Sequence, residues 1–289
     1  MMEFFNLNET YIEGVESLIT EEGMEIFRTG ESVAIALAED EKPVGVVIAD
    51  PGVTGDASIV SLYVKPEERR KGYGTDLMDM AFNMLYAYDN IYTLELSFAE
   101  NQLEEPGLKE FLEFLEFELE KDESRGAYSF TLADAARSDK LKGEISGDVI
   151  PLKDVSKMAK NELVMAHPAI VTTESVILDE NTSCVIKGKE KEKEVESMLI
   201  LGKEKDDLVV LWAQAREGSL DLINMMRYVV VEALKTYGKE QIVRAPYINE
   251  HSKKILEKLL GDNLNVSENV WVASLPLEWS LDPDAEEEF

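Results

Sequence analysis

The stretch Leu62–Met78, LYVKPEERRKGYGTDLM, decides how this chain folds. Its apolar start belongs to Ala57–Val64 (ASIVSLYV), a β-branched run that reads as a strand. Lys65-Pro66 stops that strand, because proline brings no N–H to a ladder. Over Tyr73–Tyr86, Leu77, Met78, Ala81, Phe82 and Leu85 recur at the spacing of a helix with one buried face. The turn between the two is Arg69-Arg70-Lys71-Gly72-Tyr73-Gly74, with Thr75 and Asp76 in the first helical turn. The first N–H groups of a helix have no intrahelical acceptor, and the macrodipole adds partial positive charge there. Glycine lets the backbone bend so that several N–H groups reach one anion. Three cations stand beside them. Residues 69–75 therefore read as a cradle for a pyrophosphate, with Gly74 placed where a side chain would obstruct it. The loop is not a dinucleotide fingerprint, since Leu77 stands where glycine or alanine is expected. Nor is it a nucleoside-triphosphate loop, which needs Gly-Lys-Ser or Gly-Lys-Thr.

Outward from this stretch, helices and short strands alternate. Toward the N-terminus, Glu9–Glu22 has helical periodicity, and Ser32–Ala38 and Val44–Ala49 form a hairpin over Glu39–Pro43. Toward the C-terminus, Tyr92–Phe98 alternates as a strand, with Glu95 and Ser97 on its polar face. Leu108–Leu115 reads as a helix and Ala127–Leu132 as a strand. Ala133–Asp148, polar and charged with Gly143 and Gly147, reads as a linker. The element order then returns. A helix is expected over Leu152–Leu163 and strands over Ser183–Lys187, Val195–Leu201 and Leu208–Ala215. Leu220–Tyr237 reads as a helix, Gln241–Ala245 as a strand, His251–Leu260 as a helix and Val270–Leu275 as a strand. The expectation is two α/β (α+β) units, residues 1–133 and 149–289, joined by 134–148.

Val64, Pro66, Arg69, Gly72 and Gly74 match the pattern Val-x-Pro-x-x-Arg-x-x-Gly-x-Gly. With the strand before it and the amphipathic helix behind it, this segment resembles the acetyl-CoA loop of the GNAT N-acetyltransferase superfamily. The resemblance covers roughly Met1–Ala133. It implies that each unit is a mixed, mostly antiparallel sheet flanked by helices. It also implies that the amides of Leu62 and Val64 pair with the pantetheine arm of acetyl-CoA and that the amides of Arg70–Thr75 hold its pyrophosphate. Arg69, Arg70 and Lys71 would add charge, while Tyr63 packs and Tyr73 contacts the helix start. The implied reaction is acetyl-CoA-dependent acetylation of a small or peptidic amine by direct attack on the thioester, with no metal. The second half has no such loop. Arg216–Asp221 (REGSLD) carries one cation, no paired glycine, and Glu217 and Asp221, which would repel a pyrophosphate. It reads as a degenerate copy, an unrelated α/β domain being the alternative.

The catalytic groups depart from the family pattern. Its Tyr-x-Lys-x-Gly-Phe stretch corresponds to Leu112–Phe117 (LEFLEF), which puts Leu112 at the tyrosine acid and Glu116 at the glycine. Ser58 stands where some relatives carry a glutamate base. Glu95 is the candidate base, with Ser97 and Glu100 nearby. The missing tyrosine also leaves a non-catalytic acyl-CoA-binding or regulatory protein open.

Composition narrows the partners. The 29 basic and 59 acidic residues leave a formal net charge of −30, which argues against nucleic acid or an anionic membrane surface and allows a cationic amine. One cysteine, Cys184, excludes an internal disulfide, and two histidines are too few for a zinc cluster. No apolar run is long enough to span a membrane, and the N-terminus lacks the basic start of a signal peptide, so the expected location is the cytoplasm. Cys184, Trp212 and Met225-Met226 read as core, and His251 as exposed. His167-Pro168 reads as a loop, Trp271 and Trp279 as buried, and the acidic end as a disordered tail.

Overall fold

The computed structural model describes residues 2–277 except 9, 10, 41, 54, 89, 104, 105, 147, 167–175 and 189–194. His167-Pro168, the hairpin tip at 189–194, Trp279 and the acidic tail lie outside the described residues. The chain divides into two compact units, Met1–Asp122 with Val270–Phe289, and Glu123–Asn269.

The first unit starts with β1 (Met2–Asn6), which pairs antiparallel with β2 (Val33–Glu39). Two short 3-10 turns and α1 (Glu21–Thr29) lie between them. The periodicity predicts a continuous helix over 9–22, and the structure starts the helix later. Thr20 caps it, its Oγ1 accepting from the Gly23 N–H at 3.1 Å, and Gly30 ends it at φ +78°. Ile12, Val15, Leu18 and Ile19 still reach the core from the turns. β3 (Lys42–Asp50) and β4 (Asp56–Val64) extend the antiparallel sheet, and α2 (Tyr73–Leu85) leads to β5 (Thr93–Ala99), parallel to β4. α3 (Glu100–Leu103) and α4 (Leu108–Phe114) come next. One core lies between the sheet and α2, around Leu77, Met78, Leu85, Leu94 and Leu112. The other lies on the α1 side, around Val15, Ala36, Val46 and Ile48.

β6 (Glu118–Thr131) carries the chain into the second unit, where 126–131 pair with a later strand. The expected linker holds α5 (Leu132–Arg137) instead, closed by a reciprocal Thr131–Asp134 capping box. Leu132, Ala135 and Leu141 are buried there, so the polar composition of the segment hides its apolar anchors. The rest of the unit runs β7 (Val149–Pro151), α6 (Lys157–Ala166), β8 (Val176–Leu178), β9 (Cys184–Lys187), β10 (Val195–Glu204), β11 (Asp207–Gln214), α7 (Asp221–Tyr237), β12 (Ile242–Tyr247) and α8 (Glu250–Leu260). The strand order is β6-β12-β11-β10-β9-β7, with β8 on β10, and among the described residues of this unit only β11–β12 is parallel. Cys184 is buried, and burial pushes its thiol pKa up.

The last strand, β13 (Asn265–Pro276), serves both units. Its first residues lie beside β6, where the Ser267 hydroxyl donates to the Ala127 carbonyl at 3.1 Å. Val270–Pro276 then pair with β5 from Ala99 to Thr93, and Ala273 and Leu277 are buried in the first unit's core. The division at 133/149 is therefore replaced. Residues 123–131 belong to the second unit and 270–277 to the first, because β5 takes its outer partner from the far end of the chain.

Candidate active site

The site is built where β4 and β5 part. They pair only at Asp56–Ser58 with Thr93–Glu95. One residue later β4 carries a bulge. Ala49 faces Ile59 and Ile48 faces Ser61, which leaves Val60 as the extra residue. A bulge bends its strand and re-aims the residues beyond it, so β4 leaves β5 while β3 stays paired with it. The Lys65 N–H donates to the Val44 carbonyl at 2.9 Å, which makes Val44–Lys65 a hydrogen-bonded pair. Antiparallel bonding alternates, so Tyr63 also bonds toward β3, while the N–H groups of Leu62 and Val64 turn into the gap. An extended polar chain in that gap would find them.

The loop at the top of the gap is held from within. Arg69 Nε donates to the Val64 carbonyl at 3.0 Å, and its guanidinium lies 5.9 Å from the Tyr63 ring centre. Arg70 adopts φ +65° and Gly72 φ +91°, so the backbone makes its turn through two left-handed residues. The first helical bond of α2 runs from the Asp76 N–H to the Gly72 carbonyl at 3.0 Å. Among the described residues, the N–H groups of Arg70, Lys71, Gly72, Tyr73, Gly74 and Thr75 find no acceptor, and no side chain caps the helix. A Cβ built on Gly72 would meet nothing within 4 Å. Six unbonded donors around open space suit a diphosphate.

The charged side chains are placed less uniformly than expected. Arg69 turns back on β4. Arg70 lies across Gly107, at the N-cap of α4. Lys71 Nζ sits 2.5 Å from Glu68 Oε2, which raises its pKa. Tyr73 is buried, and its pKa is raised by desolvation and then by the Glu39 carboxylate beside its hydroxyl. Gly74 has a different role from the expected one. Its Cβ would meet Phe111 Cε2 at 3.3 Å, so this glycine lets α4 approach α2 rather than clearing a path for phosphate.

Below the loop, Ser58, Glu95 and Ser274 are direct neighbours on three adjacent strands and share one face. Leu94 and Leu96 pack toward α2, so Glu95 points to the opposite face. It is half-buried, and among the described residues it has no hydrogen-bond or ion-pair partner. Ser97, next along that face, is exposed. Glu100 lies in α3, its Oε1 3.5 Å from the indole N–H of half-buried Trp271. Leu112 is fully buried in the core, so its position offers no acid to the gap. Glu116 holds φ +64°, the conformation that the family's glycine would adopt freely.

The second unit repeats the frame without the cradle. β11 pairs with β12 only at Leu208–Val209, and Leu211 is its bulge. Six residues, 215–220, then lead to α7, against eight, 65–72, in the first unit. The helix start is occupied by the protein's own carboxylate. Asp221 receives Arg216 Nε at 2.7 Å, Arg216 Nη2 at 3.1 Å and the Ser197 hydroxyl at 2.7 Å. Arg216 holds the Asp221 pKa down.

Residues 2–128 match the model of the acetyltransferase (GNAT) family. Among curated proteins no sequence matches. Solved structures show the same fold. The tandem GNAT protein from the clavulanic acid biosynthesis pathway is 12% identical, covered over 96% of this chain and 98% of its own, with a TM-score of 0.52. A probable N-acyltransferase of unknown function from Enterococcus faecalis V583 is 13% identical, covered over 96% and 72%, at 0.60. A GCN5-related N-acetyltransferase from Anabaena variabilis is 14% identical, covered over 94% and 72%, at 0.55.

Proposed function

Since residues 2–128 form a domain of the GNAT acetyltransferase family, we propose that this chain is an acetyl-CoA-dependent N-acetyltransferase acting on a small or peptidic amine, with the chemistry confined to its first unit. The observation that carries the reading is the open gap between β4 and β5, with six unbonded N–H groups at its top and, among the described residues, a partnerless carboxylate below. Acetyl-CoA supplies the activated acetyl group as a thioester. Arg70–Thr75 amides hold its diphosphate, and the Leu62 and Val64 N–H groups hold its pantetheine arm. Arg69 keeps the end of β4 and the loop in register. Glu95, on the face away from α2, takes the proton from the incoming ammonium, and the neutral amine attacks the thioester carbonyl directly. As the tetrahedral adduct collapses the C–S bond breaks, the nitrogen gives up its extra proton, and coenzyme A leaves as the thiol that takes it up. A cationic amine suits a chain of net charge −30, which concentrates cations around it.

Buried Leu112 favours a second reading, a non-catalytic acyl-CoA-binding protein. Two measurements separate them. Acetyl-CoA should raise the melting temperature under both readings. Thiol release over a panel of amines should appear only for the enzyme, and Glu95→Gln should then lower kcat roughly 100-fold or more with acetyl-CoA affinity unchanged. Binding with no thiol release from any amine leaves the non-catalytic reading. Full turnover in Glu95→Gln removes Glu95 as the base.

A further inference from the structure

We propose that the second unit carries a binding site of its own, for a small uncharged apolar molecule, in the gap between β11 and β12. The gap opens for the same reason as in the first unit, since parallel pairing ends at Val209 and the bulge at Leu211 turns β11 away. A cavity of about 150 Å³ lies there, floored by Leu199, Leu201 and Val243 and walled by Met226, Val229 and Ile255. Ala213 and Pro246, both exposed, stand at its mouth.

Its chemistry selects the occupant. Among the described residues, Ser252 is the only polar side chain in the lining. Its hydroxyl is already engaged, donating to the Asn249 carbonyl at 2.8 Å and accepting from the Ile248 N–H at 3.0 Å. A charged group inside would lose its hydration with nothing to replace it. A water would lack the two to four partners that hold buried water. The start of α7 refuses anions as well, because Asp221 already occupies it and carries the opposite charge from the one a phosphate needs. The site therefore inherits the hydrocarbon half of a ligand gap and has lost its phosphate half. Cavities of about this size and lining bind benzene, so the class is an uncharged hydrocarbon or aromatic of roughly that size.

The test uses the full chain with methionine methyls labelled for NMR, and benzene as the probe. Benzene should shift the Met226 methyl, which lines the cavity, and leave that of Met78, buried in the first unit, in place. At tenfold excess over its Kd it should raise the second unit's melting temperature by about 3 °C. Benzoate, the same ring with a negative charge, should do neither. Ala213→Phe, an exposed change that closes the mouth, should abolish the benzene shift while the apo melting temperature holds. No benzene shift at Met226, or an equal shift with benzoate, overturns the proposal. So does a Met226 shift on adding coenzyme A to the Gly72→Ala protein, which would mean that phosphate reaches the second unit. None of these outcomes depends on acetyl transfer in the first unit.

Discussion

Gly72 and Gly74 look equivalent in a motif, yet they face different physics. Gly72 stands at φ +91° over open space, so any side chain meets backbone strain of roughly 1–2 kcal/mol and no steric clash. Relief of that strain moves the amides of the cradle. Gly74 has ordinary helical backbone, and its cost arises from Phe111 at 3.3 Å. Gly72→Ala should therefore weaken acetyl-CoA binding about tenfold, the equivalent of that strain. Gly74→Ala should act on the packing of α4 and leave affinity within about threefold. Calorimetric titration checks both, and the reverse order would contradict the assignment of the open cradle to Gly72. The sequence motif made the loop legible because a strand, a proline, glycines and a helix leave few other geometries. It did not separate the roles of its members. Arg69 bonding the Val64 carbonyl and Arg70 crossing to Gly107 depend on neighbours that no local pattern announces. Ser274, beside Glu95, lies 179 positions further along the chain and was invisible for the same reason.

Element ends carry two separable predictions. α4 closes at Glu116, an exposed glutamate held at φ +64°. A glycine there adopts the left-handed conformation without strain, so Glu116→Gly should stabilise the first unit by about 1 kcal/mol in denaturant unfolding, with site residues untouched. α7 opens on Asp221, buried between Arg216 and Ser197. Its native pKa is lowered by Arg216, so the unfolded chain binds the proton more readily. The stabilisation is complete above the ordinary aspartate range, near pH 4, and is lost as pH falls through the lowered native value. Asp221→Asn should remove that acid-labile part. The mutant's second unit should be less stable at pH 7 and flatter than the parent below about pH 4 in melting temperature against pH. A parallel displacement of the two curves would argue against the Arg216–Asp221 pair as the cause.

At the scale of the whole molecule, the two-fold repetition of frames was readable from element order, since both halves run hairpin, strand, helix, strand, helix, strand. Which strand completes which sheet was not readable. Val270–Leu275 has the same local character whether it pairs with β5 or with a neighbour of its own half, and only the assembled register decides. That register makes a strong claim about what can fold alone. A fragment of residues 1–133 matches the division that composition suggests and contains the whole cradle. It lacks Val270–Leu277, and with them seven residue pairs along β5 and the side chains of Ala273, Leu275 and Leu277 in the first unit's core. Burying two leucines alone is worth roughly 3–6 kcal/mol, comparable with the roughly 5–15 kcal/mol that hold a domain together. The fragment also leaves β5 as an unpaired edge flanked by exposed apolar surface, the arrangement that invites aggregation. It should therefore be unfolded or associated in solution and fail to bind acetyl-CoA. A version that fuses residues 268–277 to residues 1–122 through a flexible glycine-serine linker should melt cooperatively and recover acetyl-CoA binding. Circular dichroism melts and calorimetric titration on the two fragments decide it: a stable, binding-competent 1–133 fragment would mean that β13 is dispensable to the first unit.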